Sequence, residues 1–209
     1  MTATAVQVTV DLWFGEPRPG PIELLSADER LRADRFVSDA ARAEFVATRT
    51  WLRSILAGYV GVPAASLRFR LGRWGKPSLV GYDLEFSVSH ARGPVLVAVC
   101  PGHPVGVDLE TLRPGVWDPA AASLVLTPQE METVRCATDP DAAFLRLWTR
   151  KEAYSKVFGR GLTDRLAAVD LHADPTLVDG IEVRSLDLGP NFVASLACPQ
   201  GAVGTWRTR

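Results

Sequence analysis

Val105-Gly106-Val107-Asp108-Leu109-Glu110 is the stretch on which the reading of this chain turns. Apolar and acidic residues alternate with the two-residue period of a strand. Val105, Val107 and Leu109 are therefore predicted to face a core, and Asp108 and Glu110 to project together from the other face, beside Gly106, which leaves room. Two carboxylates this close repel each other unless a cation sits between them. Hard oxygen donors suit Mg²⁺, which takes one or two carboxylates and completes its shell with water and phosphate oxygens. Read in isolation, the same pattern also fits a solvated polar face at a strand end.

Working outward from that strand, the chain divides into two runs of similar order. Upstream, Val6, Val8, Val10 and Leu12 alternate as a half-buried strand. Ser26-Ala27-Asp28-Glu29 is a capping box opening a helix toward Phe36. Ser38-Asp39 starts a second helix with Phe45, Leu52, Ile55, Leu56 and Tyr59 near one face; Arg42, Arg49 and Arg53 on another read as a solvated stripe. Strands are predicted over 67–71, 85–89 and 95–100. Downstream, Thr127-Pro128 and Asp139-Pro140 each place a cap before a proline, and the second opens a long helix to about Phe158, ended by Gly159 and Gly161. Strands follow at 168–171, 182–186 and 191–197, and the short C-terminal tail reads as disordered. Residues 94–100 and 192–198 echo each other. The fold class is α+β: two similar subdomains, 1–104 and 105–209, with no low-complexity linker between them.

Composition narrows the class. The chain has 209 residues, 47% hydrophobic and 22% charged, enough for a substantial core without disulfides. No apolar run approaches the roughly 20 residues of a membrane span, and residues 1–9 carry no positive charge, which argues against a secretory signal. Cys100, Cys136 and Cys198 are odd in number and far apart, which fits a reducing cytoplasm. A net charge of −1 disfavours nucleic acid as a partner. Of 23 basic residues only Lys76, Lys151 and Lys156 are lysines. A lysine kept against such an arginine bias is a candidate for a role that needs a compact point charge.

Three further motifs carry chemistry. In Trp148-Thr149-Arg150-Lys151-Glu152-Ala153-Tyr154-Ser155-Lys156, Glu152 and Lys156 share a helix face. They read either as a surface ion pair or as an additional carboxylate and a cation aimed at phosphate. Gly72-Arg73-Trp74-Gly75-Lys76-Pro77, with Arg68 and Arg70 before it, is a basic loop suited to wrapping an anion, although the Walker spacing is absent. In Phe86-Ser87-Val88-Ser89-His90, both serines fall on one side of a strand that ends at His90. Without G-x-S-x-G this is no hydrolase elbow, and the same groups serve as anion donors. His103 and His172 stand alone near turns and receive no role.

The order of these motifs resembles the 4′-phosphopantetheinyl transferases: G-x-x-G-K-P, then F-S-x-S-H, then G-x-D-x-E, then about 40 residues on, W-x-x-K-E-A-x-x-K. The length and doubled architecture look like the Sfp-type, surfactin-synthetase-activating branch. The resemblance runs from Arg30 to Leu162. It implies two similar α+β halves about a pseudo-twofold, with the site between them. It also implies an enzyme that moves phosphopantetheine from coenzyme A to a serine of an apo acyl or peptidyl carrier protein, releasing adenosine 3′,5′-bisphosphate. Carried over by motif, Asp108, Glu110 and Glu152 would hold Mg²⁺ (or Mn²⁺), Lys156 would contact the pyrophosphate, and Asp108, Glu152 and Lys156 would be catalytic. Arg32, Arg73, Trp74, Gly75, Lys76, Ser87, Ser89 and His90 would bind coenzyme A, joined by Asp108, Glu152 and Lys156. At Glu29 an acid stands where the surfactin-type relative carries a base.

That resemblance implies a cytoplasmic monomer with no nucleic-acid or membrane partner. The base for the carrier serine is Glu152 or a metal-bound water. A coenzyme A hydrolase and a non-catalytic carrier-binding subunit are the rival readings of the same residues. The apolar segment 111–126, with Trp117 and Arg113, reads either as the carrier dock or as a cover over the seam between the halves.

Overall fold

The computed structural model describes residues 7–159 and 166–207; Val6 and Gly161 lie outside the described residues. The first half contains β1 (Thr9–Gly15), α1 (Ala27–Asp34), α2 (Asp39–Val60), a short ribbon of β2 (Phe69–Leu71) and β3 (Pro77–Leu79), and the hairpin β4 (Leu84–His90)–β5 (Val95–Pro101). The second contains β6 (Gly106–Thr111), α3 (Pro119–Ala122), α4 (Pro128–Arg135), α5 (Pro140–Val157), β7 (Thr176–Val178), β8 (Ile181–Leu186), β9 (Phe192–Pro199) and β10 (Val203–Arg207). The two larger sheets run β10-β1-β5-β4 and β6-β9-β8-β7. Each half thus repeats one connection: a strand, then helices, then an antiparallel hairpin whose second strand pairs antiparallel with the first strand, as β1-β5-β4 and β6-β9-β8.

Local chemistry starts the helices where the sequence signals predict. Ser26 and Thr127 each accept the backbone N–H three residues on, and Glu29 and Glu130 reach back to the cap N–H. Asp139 caps α5 through the Ala142 N–H, and Pro140 fills the first helical position, where no N–H is needed. The strand β5 is buried on both faces, which is why it reads as a continuous apolar run rather than an alternation. Val95, Val97 and Val99 pack on Leu52, Ile55 and Leu56 of α2. Leu96, Ala98 and Cys100 pack on Val107, Leu109, Leu196 and Cys198 of the other half. Each buried valine, leucine or isoleucine among them contributes about 1.5–3 kcal/mol, so this double-sided strand holds the halves together.

The structure departs from sequence expectation in three places. The arginines of α2 are not a solvated stripe: even Arg42 is only half-exposed, while Arg53 is 1% exposed and donates to Glu29 of α1. The predicted strand at 168–171 is a 3₁₀ turn, Leu166–Ala168, followed by irregular chain, because the carbonyls of Leu166 and Val169 are taken by Lys151 rather than by a strand. The tail is ordered: β10 pairs in parallel with β1, so the last strand joins the first half's sheet. Arg207 seals it by an ion pair to Asp11 at 2.8 Å. Asp11 also accepts from the Tyr59 hydroxyl, whose pKa burial and that carboxylate push up to about 12.

Candidate active site

The site forms at the seam where the edge strands β4 and β6 meet under α5. Serines zip this seam: the Val107 N–H donates to Ser87 Oγ at 3.1 Å, and Ser89 Oγ donates to Asp108 Oδ1 at 2.8 Å. Alternation on β4 sends both hydroxyls to the same neighbour. Gly106 explains how the helix comes so near, since a Cβ there would lie 2.0 Å from the Ala153 carbonyl oxygen. Any side chain would push α5 off the strand. With α5 seated on Gly106, Lys156 reaches Asp108 Oδ1 at 2.7 Å and Ser89 Oγ at 3.1 Å.

Asp108 is not on a solvated face: it is 5% exposed. Desolvation pushes its carboxyl above the usual range, opposed by Lys156 and Ser89 and assisted by Glu110. Its Oδ2 is buried with no hydrogen-bond partner among the described residues. Glu152 is also pushed up, first by burial and then by repulsion from Asp108 and Glu110, with Lys156 opposing. Three carboxylates therefore share one electrostatic neighbourhood containing one lysine. Among the described residues no three His, Cys, Asp or Glu side chains already close around a common point. Glu110 turns instead to Arg113, at 2.8 Å.

The basic loop is the turn of the β2–β3 ribbon, closed by Gly72 N–H to Lys76 O at 2.9 Å, with Gly75 at φ +84°, a conformation that favours glycine. It overhangs the seam. A cavity of about 260 Å³ is lined by Trp74, Gly75, Lys76, Pro77, Ser87, Glu152 and Lys156. A second, of about 490 Å³, opens on the other side of Gly75 and Pro77 and is lined by Glu29, Arg32, Phe45, Arg49, Arg68 and Phe69 among others. The two share Gly75 and Pro77, so the loop separates a cationic, aromatic chamber from the carboxylate-lysine cluster.

Of the residues singled out from sequence, Trp74, Gly75, Lys76, Ser87, Ser89, Asp108, Glu152 and Lys156 come together at this seam. Arg32 lies in the adjoining chamber, its guanidinium 5.2 Å from the Phe45 ring centre. Arg73 lines a further cavity of about 590 Å³ with Glu85 and Phe158. His90 is at the exposed end of β4, outside these cavities. Sequence reading missed the Glu29–Arg49–Arg53 cluster and the Glu130–Lys151 pair. The signal was present in the capping-box glutamates, whose carboxylates have more acceptor sites than the cap N–H uses and so can also take a distant cation. Lys151 belongs to the same helical motif as Glu152 but points away, wholly buried, to Glu130 at 2.7 Å.

A seam with buried carboxylates, a lysine and an overhanging Gly-Lys-Pro loop between duplicated α+β halves defines a class, and comparison with known proteins identifies it. The sequence model of the 4′-phosphopantetheinyl transferase superfamily matches residues 104–198. The 4′-phosphopantetheinyl transferase HetI of Nostoc sp. is 38% identical over 158 residues, covering 73% of this chain and 66% of that protein. A 4′-phosphopantetheinyl transferase of Bacillus subtilis is 29% identical over 181 residues, covering 80% and 79%. Sfp of Bacillus subtilis strain 168 is 24% identical over 156 residues, covering 73% and 69%. This chain belongs to the 4′-phosphopantetheinyl transferase superfamily. Its match spans just under two thirds of the length of the Nostoc relative. Among the described residues no helix is long and apolar enough to cross a membrane.

Proposed function

We propose that this protein transfers the 4′-phosphopantetheine group of coenzyme A to a serine of an apo acyl or peptidyl carrier protein, releasing adenosine 3′,5′-bisphosphate. The observation that carries the reading is the cluster of Asp108, Ser89 and Lys156 with Glu152 beside it, one loop away from a cationic chamber of nucleotide size. The chamber and the Gly72–Pro77 loop, in residues 1–104, would take the nucleotide end through Arg32, Arg73, Trp74 and the Gly75 backbone. The cluster in residues 105–209 would take the diphosphate, with Ser87, Ser89 and His90 at its border. The serine oxygen bonds to the β-phosphorus, and the bond from that phosphorus to the bridging oxygen breaks. The leaving bisphosphate keeps the bond's electron pair. Glu152, which lines the cavity beside the cluster, is the carboxylate placed to accept the serine proton. Lys156 offsets charge gathering on phosphate oxygens.

The donor set suits a magnesium ion. The partnerless Asp108 Oδ2 and the mutually repelling Glu152 and Glu110 are hard oxygen donors, three carboxylates set against the two cations Lys156 and Arg113. Asp108 and Glu152 would hold the ion, with Glu110 joining if it leaves Arg113. When bound, Mg²⁺ or Mn²⁺ supplies positive charge to the diphosphate oxygens. The reading places the enzyme in the cytoplasm as a monomer. Carriers of fatty-acid, polyketide or nonribosomal-peptide synthesis are its partners, and neither nucleic acid nor membrane is.

The test is intact-mass spectrometry of apo-carriers incubated with coenzyme A and Mg²⁺. A phosphopantetheine adduct on the carrier serine is expected. Cleaved coenzyme A without adduct would mark a hydrolase instead, and an unchanged mixture across all carrier classes would mark a non-catalytic protein.

A further inference from the structure

Lys76 sits in the loop where a phosphate ligand would be expected, yet its ammonium faces the protein. Nζ donates to the Val105 carbonyl at 3.2 Å and to the Val157 carbonyl at 3.3 Å, and lies 3.6 Å from Glu85 Oε2. Two of the ammonium's three N–H donors are therefore held by carbonyls, and the Glu85 carboxylate supplies the nearby counter-charge. The three partners belong to three different elements: Val105 immediately precedes β6, Val157 is the last residue of α5, and Glu85 is on β4. The side chain itself comes from the start of β3, and its stem fills the space over Gly159, where a Cβ would lie 3.3 Å from Lys76 Cδ. The Val157 carbonyl is one of the unsatisfied acceptors at a helix C-terminus, where a cation also meets the negative end of the helix dipole.

We infer that Lys76 is a positioning residue: a clamp that joins the Gly-Lys-Pro loop and β4 of the first half to β6 and α5 of the second, setting the distance between the coenzyme A side and the Asp108–Glu152–Lys156 cluster. Burial lowers the ammonium's pKa, and Glu85 opposes that. Arginine, with a planar fork in place of a compact head, does not fit three acceptors disposed around one nitrogen. That accounts for a lysine here in a chain that otherwise uses arginine.

The inference rests on the transferase reading for its kinetic test but not for its structural one. In Lys76→Met, kcat for carrier modification is expected to fall about tenfold or more, while the calorimetric Kd for coenzyme A moves less than about threefold, because a misplaced cluster costs turnover rather than ground-state binding. Lys76→Arg is not expected to restore the rate. Glu85→Gln is expected to lower kcat in the same direction and to be non-additive with Lys76→Met. Amide exchange in unliganded Lys76→Met should speed up at Phe158 and Gly159, at the end of α5. A coenzyme A affinity lowered about tenfold in Lys76→Met at unchanged kcat would overturn the clamp in favour of a phosphate ligand, as would tighter coenzyme A binding in Glu85→Gln, which would then be freeing the ammonium. If the wild type modifies no carrier, the transferase reading fails. The exchange experiment still decides the clamp, and unaltered exchange at those amides overturns it.

Discussion

The two halves use the same internal brace and put different things beside it. In the first, Glu29, the closing residue of a capping box, meets Arg53 on the long helix α2, and Arg53 donates to the carbonyls of Ala64 and Leu67 around the following 3₁₀ turn. In the second, Glu130, the closing residue of a capping box, meets Lys151 on the long helix α5, and Lys151 donates to the carbonyls of Leu166 and Val169 around the following 3₁₀ turn. The brace ties short helix, long helix and turn together in each half, which marks the repeat more firmly than the short Val/Ala strands do. The divergence comes one residue later. Arg53 is followed by Ser54, which bonds the backbone of its own helix, and Lys151 by Glu152, which enters the seam. Aligning Cys100 with Cys198 through the strand registers matches Asp108 to Trp13 and Glu110 to Gly15. Only one copy of the repeat carries the carboxylates, so a doubled scaffold yields a single cluster.

The largest effect should come from removing the function-bearing difference. Asp108→Ala is expected to lower carrier modification by about a hundredfold or more, since it removes the central carboxylate of the cluster. Trp13→Phe, at the matching position, should leave the rate near wild type. Equal losses in single-turnover assays would end the distinction between a working half and a supporting one.

Next in size are the braces. Lys151→Met strands a fully buried Glu130 and should cost about 3–5 kcal/mol in urea unfolding. Arg53→Met should cost less, because Arg49 still neutralises Glu29 at 2.8 Å. Losses of the same size would show that Arg49 adds nothing.

A smaller loss tests segment 111–126. Trp117 packs against Phe144, ring centres 5.6 Å apart, and its backbone N–H is one of three that donate to Asp141. Its place is on α5 of the second half. Trp117→Ala should cost about 2–3 kcal/mol, below the figure for a fully buried tryptophan, with the KM for carrier little changed. A raised carrier KM at unchanged melting temperature would make this face the dock.

The smallest effect is a pH dependence in the first brace. Burial raises the Glu29 pKa, but Arg49, the Ser26 N–H and Arg53 together outweigh it and hold the carboxyl below its ordinary 4.5. A lowered folded pKa contributes stability that is present above the unfolded value and lost as pH falls through the folded one. Glu29→Gln should therefore destabilise most near neutrality and progressively less below about pH 4.5. Denaturant midpoints that separate wild type and variant by the same amount in acid and at neutrality would contradict it.

Much of the fold was legible because it rests on local rules. Period-2 alternation located β1, β4 and β6; capping boxes and cap-proline pairs located the starts of α1, α4 and α5; the double-sided apolar run located β5. The order of four motifs was enough to bring Ser89, Asp108, Glu152 and Lys156 into one reading. Periodicity tells which residues share a face, not what will cover it. That is why Arg53 read as solvated although Glu29 waits 24 residues away, why a solvated face stayed open as a reading of Asp108 although β4 closes over it, and why the carbonyls that Lys76 meets 29 and 81 residues on went unforeseen. The ordered β10 was hidden for the same reason, since its partner β1 is at the opposite end of the chain. Sequence by itself determined most of the elements, suggested the repeat and grouped the residues now found at the seam, all through short-range spacing. Tertiary structure alone decided which charges are spent on bracing and which remain available for chemistry, because an ion pair between distant segments exists only once packing has brought them together and removed the water between them.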